Sequence, residues 1–471
     1  METLQRTANR GSISTGYDID NSVKLEADNS EKLSRTVSTA GNRDVGTISM
    51  WIKRTELSTY QYLCQFGNTD NDNGRTFVRF QNDDTLRIAG GSTVWRNTNR
   101  VFRDTSAWYH IVIAFDTTQT TANDRFKLYV NGVQETSFSS TANPSQYDNL
   151  GINFQTQAIG YNPTDSGSYF SGYMTEIVCQ DGTASAPTEF GETDSDTGIW
   201  KPIDVSSVAS GTNGFYLDFE SSGSLGADSS GNGNNFTLNN ITSADQATDT
   251  PTNSFSTWNI LNRYFSTTIN EGATKVTNSD AANWRSYVST IAVSSGKWYA
   301  EFEAGGTSFI GVGDVSEITG TKSYTQYLGQ IPASIGYYSA GLLFYSGASQ
   351  SGSFTGFGDG DVISCALDKD NGFVYWAKNG VWQNSGDPTS GATGTGGVAL
   401  TSGNAGYEAS DQYIIGYSPL VANSAGFANY GGFTTMSISS GNSDSSGYGT
   451  FEYAPPTGYY ALCTKNLAEY G

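Results

Sequence analysis

At 471 residues the chain is too long for one hydrophobic core, and its 55 Gly, 28 Tyr and 24 Phe with only 15% charged residues exclude an intrinsically disordered polymer. A net charge of −21 opposes binding to nucleic acid or to an anionic membrane. No apolar run reaches the roughly 18 residues that span a bilayer, so membrane insertion is not expected.

The first 20 residues, through METLQRTANRGSISTGYDID, lack the apolar stretch of a secretory signal and are expected to serve as an anchor segment. Short strands then follow at sandwich-like spacing. In GTISMWIKRT, Ile48, Met50 and Ile52 alternate with polar neighbours, and WYHIVIAFDTT leads into DRFKLYVNGVQ, where Phe126, Leu128 and Val130 share a face. Asn131-Gly132 suits a two-residue primed turn, which needs positive φ at both positions. QAIGYN and YFSGYMTEIVCQDG continue the alternation. From Gly191 to about residue 275 the pattern loosens around GFYLDFE and a Gly/Asn/Ser-rich stretch. A second series opens with SSGKWYAEFEA and SFIGVGDV, and GDVISCALDKDNGFVYWAKNGVW again places Asn-Gly, at Asn379-Gly380, between aromatic strands. The pattern predicts an all-β protein of two tandem β-sandwiches: a segment 1–20, a sandwich over 21–190, an inter-domain segment with extra strands over 191–275, and a sandwich over 276–471.

The run SMWIKRT, WYHIVIAFD, LYVNG, AIGYN and FSGYMTEIVCQDG resembles a laminin-G-like, concanavalin A-type jelly roll. GKWYAEFE, IGVG, GDVISCALD, YWAKNGVW, FANYGG and FEYAPPTGYYALCTKNL resemble a SPRY domain. The linked order of these motifs with PTEFGETD, TGIWKP and DTPTNSFSTWN is similar to structural proteins of tailed phages. That resemblance implies a virion component, made in the host cytoplasm and released by lysis, with other virion proteins as partners and a homo-oligomeric state, a trimer by analogy with fibres and spikes.

Concanavalin-like sandwiches also include glycoside hydrolases, which need a pair of facing carboxylates. The nearest pairs, Glu301 with Glu303 and Asp218 with Glu220, each alternate with aromatic residues, and a solvated polar face opposite an aromatic one accounts for both; Tyr299 and Phe302 are assigned to that aromatic face. The single histidine, His110, lies in an alternating strand with no nucleophile elbow nearby, so it is expected to be structurally accommodated. The four cysteines are widely spaced and read as buried thiols. Asp70 and Asp72 in GNTDNDNGRT have the ligand types Ca²⁺ prefers, although such runs also make plain turns; no other cofactor is implied. Glycan binding needs exposed rings on loops, for which Tyr337, Tyr338, Tyr345 and Trp382 are the candidates, since SPRY-like domains bind partners through inter-strand loops. The expectation is a non-enzymatic virion surface protein (tail fibre, spike or other appendage) that attaches to a host-surface glycan or protein. A capsid decoration or structural joint is the alternative, and a polysaccharide depolymerase the third reading.

Overall fold

The computed structural model describes residues 16–471 except 70, 166, 263–266, 279–282, 319, 351, 405 and 421–423. The protein is all-β and divides into two compact units, one running to Thr252 and the other over Asn253–Gly471.

The first unit is a sandwich of two eight-stranded antiparallel sheets. One runs in the order Val133–Gln134, Phe126–Val130, Trp108–Asp116, Val45–Arg54, Gly172–Asp181, Ser22–Leu25 and Gln246–Ala247, with Phe215–Leu217 also paired to Gly172–Asp181. The other runs Phe138–Thr141, Val94–Val101, Thr85–Ala89, Thr76–Phe80, Gln61–Phe66, Thr156–Ile159, Lys32–Thr36 and Thr237–Asn239. The alternation read from the sequence sets the layers: Ile48, Met50, Ile52, Phe126, Leu128 and Val130 all enter the core between the sheets. Asn131 and Gly132 take φ of 49° and 77°, the double left-handed geometry that the hairpin requires.

The segment 191–275 is shared between the units. Phe215, Leu217 and Phe219 point into the first core, and the strand Phe215–Leu217 extends the Gly172–Asp181 ladder through Ile177, Val178 and Cys179. Three further strands of that segment, Thr237–Asn239, Gln246–Ala247 and Thr267–Asn270, go to the first unit, the first unit and the second unit.

The second unit pairs a nine-stranded with a six-stranded sheet. The latter runs Tyr287–Val288, Tyr413–Pro419, Ser308–Asp314, Ser334–Tyr338, Leu342–Tyr345 and Ala348–Gln350. Its core is built on large rings: the buried Trp258 meets Phe302 and Tyr430 at centroid distances of 5.7 Å each. Asn379 and Gly380 repeat the hairpin geometry with φ of 48° and 78°. All four cysteines are buried free thiols, and burial raises the pKa of each. No helix among the described residues is long and apolar enough to cross a membrane.

Candidate functional site

Three Ile-Gly steps in the second unit, Ile310-Gly311, Ile335-Gly336 and Ile415-Gly416, fall into register across adjacent strands, with Gly311 opposite both Gly336 and Gly416. The isoleucines enter the core, so the glycines form a bare lane on the outer face. The chain around Leu328 lies in that lane: a Cβ at Gly336 would collide with the Leu328 carbonyl, and one at Gly416 would sit 3.0 Å from Leu328 Cδ1. Leu328 N–H donates to Ser418 Oγ at 3.2 Å, and Gly329 N–H to Ser334 Oγ at 2.7 Å, which fixes the segment on the sheet.

This anchoring sets Tyr327 parallel to Phe309, with ring centroids 4.2 Å apart and planes within 7°. Tyr338, directly opposite Phe309 on the next strand, stacks on it at 4.6 Å. Trp284 stands edge-on to Phe309 and close to Tyr327, at 5.0 and 4.9 Å, and Phe344 meets Phe309 edge-on at 5.3 Å. Phe309 is buried, while Trp284, Tyr327, Tyr338 and Phe344 are each half-buried. Among the described residues no hydrogen bond engages the Tyr327 or Tyr338 hydroxyl or the Trp284 indole N–H. The result is an aromatic platform with polar tips, suited to the C–H face of a sugar ring and its hydroxyls.

Of the four ring candidates taken from the sequence, Tyr338 stands in this platform. Tyr337 is one residue on, so the pleat turns it into the core, where it is fully buried; its hydroxyl donates to the Thr355 carbonyl, and burial lifts its pKa to about 12. Tyr345 pairs with Ile335 and therefore lies on the opposite face from Tyr338. Trp382 packs against the cluster of Phe255, Tyr299 and Tyr459. Trp284, Tyr327, Phe309 and Phe344 were not singled out by the sequence. The signal that marks them is the threefold Ile-Gly, since glycine in a strand announces close backbone approach.

The other candidate positions are held by internal contacts. Asp72 accepts the N–H groups of Ser92 and Thr93 at 2.8 and 2.9 Å and the Thr93 hydroxyl at 2.6 Å, so its carboxylate ties two loops together. Asp70 lies outside the described residues. Among those described, no three His, Cys, Asp or Glu side chains converge as metal ligands would. Glu301 corrects the sequence expectation: it is fully buried and shares a face with Tyr299 rather than opposing it. The segment 451–453 lies over it, and its carboxylate accepts the N–H groups of Glu452 and Tyr453 at 2.8 and 2.7 Å and the Tyr299 hydroxyl at 2.9 Å. Burial nevertheless pushes its pKa up to about 7.

His110 is fully buried between Trp51 and Trp200, at ring distances of 4.6 and 5.9 Å. An indole N–H only donates, and Trp200 Nε1 lies 2.9 Å from His110 Nδ1. The proton therefore sits on Nε2, which donates to Ser49 Oγ at 2.8 Å. A general base would have to accept from that serine, so this pair is not arranged as a Ser-His nucleophile.

One buried acid escaped the sequence reading. Glu176 occupies a bulge in Gly172–Asp181 with φ of 50°, a left-handed geometry uncommon outside glycine. Tyr216 donates to its Oε1 at 2.7 Å, and the Tyr17 hydroxyl lies 3.4 Å from Oε2. Burial raises its pKa from 4.5 to about 8. The native state thus holds Glu176 neutral while the unfolded chain ionises it, so its stabilising effect is complete below pH 4.5 and is lost as pH rises toward 8. Glu176→Gln is expected to raise the melting temperature of the first unit by a few degrees at pH 8.5 and to change it little at pH 4.5. Calorimetry of the two chains across that range checks this, and an equal effect at both pH values would contradict it.

Residues 24–188 match the family model described as the concanavalin A-like lectin/glucanases superfamily, of the laminin G type. No curated protein matches the chain. Among solved structures, the SPRY domain of human HERC1 is 13% identical, covering 36% of this chain and 96% of its own, with a TM-score of 0.26. A pentraxin from Limulus polyphemus is 17% identical over 36% and 80%, with a TM-score of 0.27. The Ruminococcus gnavus sialidase module CBM40, solved with sialyllactose, is 17% identical over 32% and 87%, with a TM-score of 0.24. Residues 24–188 therefore form a concanavalin A-like domain, in a chain whose nine- and six-stranded sheets build a second β-sandwich.

Proposed function

We propose that this chain is a non-enzymatic recognition protein that binds a neutral saccharide on the platform formed by Trp284, Tyr327, Tyr338 and Phe344, and that it does so from the surface of a virion. The observation that carries the binding is the platform itself: four half-buried rings around Phe309, with hydroxyl and indole donors free of internal partners among the described residues. The concanavalin A-like family of residues 24–188, which contains lectins, is consistent with saccharide recognition. The motif order similar to tailed-phage structural proteins supports placing the chain on a virion, released by lysis and assembled as a homo-oligomer. The buried, fully bonded states of Glu301 and His110 support the absence of hydrolytic chemistry.

A glycan array with the full chain and with Trp284→Ala tests this reading. Binding to neutral glycans is expected, with at least a tenfold loss in the variant, about 1.4 kcal/mol. Unchanged binding by a variant of unchanged melting temperature would overturn it. One observation favours the second reading, a decoration or joint protein: Leu342, directly opposite Tyr338 and 41% exposed, extends the half-buried rings into a contiguous apolar patch of the kind that protein partners cover. Microscopy of labelled particles separates the two, since a distal tail position fits attachment and a capsid-face position fits decoration.

A further inference from the structure

On the first unit, the strands Gln61–Phe66, Thr76–Phe80, Thr85–Ala89 and Val94–Val101 place Tyr62, Arg79, Arg87 and Asn97 in one cross-strand row. Val78, Phe80, Leu86 and Ile88 enter the core, so the pleat turns this row to the outer face. Arg79 and Arg87 are directly opposite each other, an arrangement that repels. Arg54, Arg100 and Arg103 each pair with a carboxylate, whereas Arg79 and Arg87 pair with none among the described residues. Arg35, Arg43, Arg96 and Arg125 also form no ion pair, but they donate to backbone carbonyls, which Arg79 and Arg87 do not among the described residues.

Neutral groups orient both guanidinium forks instead. Arg79 Nε donates to Gln81 Oε1 at 2.8 Å and its Nη1 to the Tyr62 hydroxyl at 2.9 Å. Arg87 Nε donates to Asn97 Oδ1 at 2.9 Å, and Asn97 in turn donates to Ser139 Oγ at 2.8 Å. Among the described residues, both terminal amino groups of Arg87 and the Nη2 of Arg79 are left for an incoming acceptor. Of the nearby acids, Asp83 accepts from Thr85 through one oxygen, at 3.0 Å from its N–H and 2.6 Å from its hydroxyl, and acts on Arg87 through its charge without forming an ion pair, while Asp165 accepts from Gly167 N–H at 3.0 Å. Burial, then the charge of Arg79, holds the Arg87 guanidinium below its usual range, against the opposing pull of Tyr60 and Asp83. Beside the pair, Tyr60 is 42% exposed with its ring 4.7 Å from the Arg79 guanidinium.

We propose that this face binds an acidic saccharide, with Arg79 and Arg87 clamping its carboxylate or sulfate and Tyr60 lying against a sugar ring. Planar guanidinium forks match both anions, and two adjacent positive charges that form no ion pair among the described residues define a complement of opposite sign. The site is independent of the aromatic platform in both location and chemistry.

The test is titration of the full chain with a heparin-derived hexasaccharide, with an oligogalacturonate and with a neutral cello-oligosaccharide, at 50 and 200 mM salt. Binding to at least one acidic probe is expected, weaker at the higher salt, and at least tenfold weaker in Arg87→Gln. Arg87→Lys should recover part of the loss, and Trp284→Ala should leave the affinity for the acidic probe unchanged. Melting temperatures equal to or above that of the parent verify folding, because removing one of two opposed charges relieves repulsion. No binding of either acidic probe at millimolar concentration, or equal binding by Arg87→Gln, overturns the proposal. So does sedimentation showing a self-associated species that Arg87→Gln dissolves, which would give the face to a second copy. Neutral-glycan binding lost in Trp284→Ala reads the platform separately, so either site can fail without the other.

Discussion

An Asp249→Ala chain is expected to lose about 3–5 kcal/mol of stability in the first unit, the cost of removing one partner from a buried ion pair. Asp249 and Lys53 are both buried, with Lys53 Nζ 2.6 Å from Oδ2. The Trp108 indole donates to Oδ1 at 2.9 Å, and Ser22 Oγ donates to the Asp249 carbonyl at 2.7 Å. Asp249 thus joins the C-terminal end of this unit to three separate strands, two of them through its carboxylate. Removing it leaves the Lys53 ammonium in a dry site without that charge, so a conservative Asp249→Asn should recover little. Replacing the pair together, Lys53→Met with Asp249→Leu, should recover much of the loss, because two apolar groups need no counter-charge. Chemical denaturation of the three variants measures these differences. A loss below 1 kcal/mol in Asp249→Ala would show that the pair is solvated. For the same reason a polypeptide ending near residue 190 is expected not to fold, since it lacks Asp249 and the strands Phe215–Leu217, Thr237–Asn239 and Gln246–Ala247.

His110 gives the second large effect, and its sign follows from burial. The folded ring keeps its neutral form down to about pH 3, whereas the unfolded chain protonates near 6.5. Its contribution is therefore complete above pH 6.5 and is lost as pH falls toward 3, on the order of 4 kcal/mol over the whole range. As the chain has one histidine, a proton NMR titration reads it without ambiguity. The ring resonances should hold their neutral positions from pH 8 to 5, with no inflection near 6.5. An inflection there would mean that the ring is solvated and that the Trp51 and Trp200 faces do not enclose it. A His110→Ala chain should be destabilised at neutral pH by about 2–4 kcal/mol, through the cavity and through loss of the partners of Trp200 Nε1 and Ser49 Oγ.

The β-sandwich architecture was legible because its signals are local. Alternation in Ile48–Met50–Ile52 and Phe126–Leu128–Val130 fixes one face, and Asn-Gly fixes the turn. The hairpins at Asn131-Gly132 and Asn379-Gly380 also share a device that no local pattern displays. Asn131 accepts the His110 N–H at 2.8 Å and Asn379 accepts the Val362 N–H at 2.9 Å, each reaching across to a neighbouring strand. The candidate site was legible only at Tyr338. Its companions come from positions 284, 309, 327 and 344, and their approach depends on a glycine lane whose register appears only once the strands pair. Glu301 was misplaced for a related reason: alternation assigns a residue to a face, but not what later covers that face, and here the segment 451–453 covers it. Arg79 and Arg87 are eight positions apart in sequence and meet only through the register of their hairpin.

The most direct test of saccharide recognition is hydroxyl-radical footprinting of the full chain with and without a neutral glycan selected on the array. Half-buried aromatic rings are oxidised readily, so the platform reports on its own occupancy. Protection confined to Trp284, Tyr327, Tyr338 and Phe344 is the predicted result; unchanged oxidation of these four rings at saturating glycan, or protection elsewhere, would contradict the assignment.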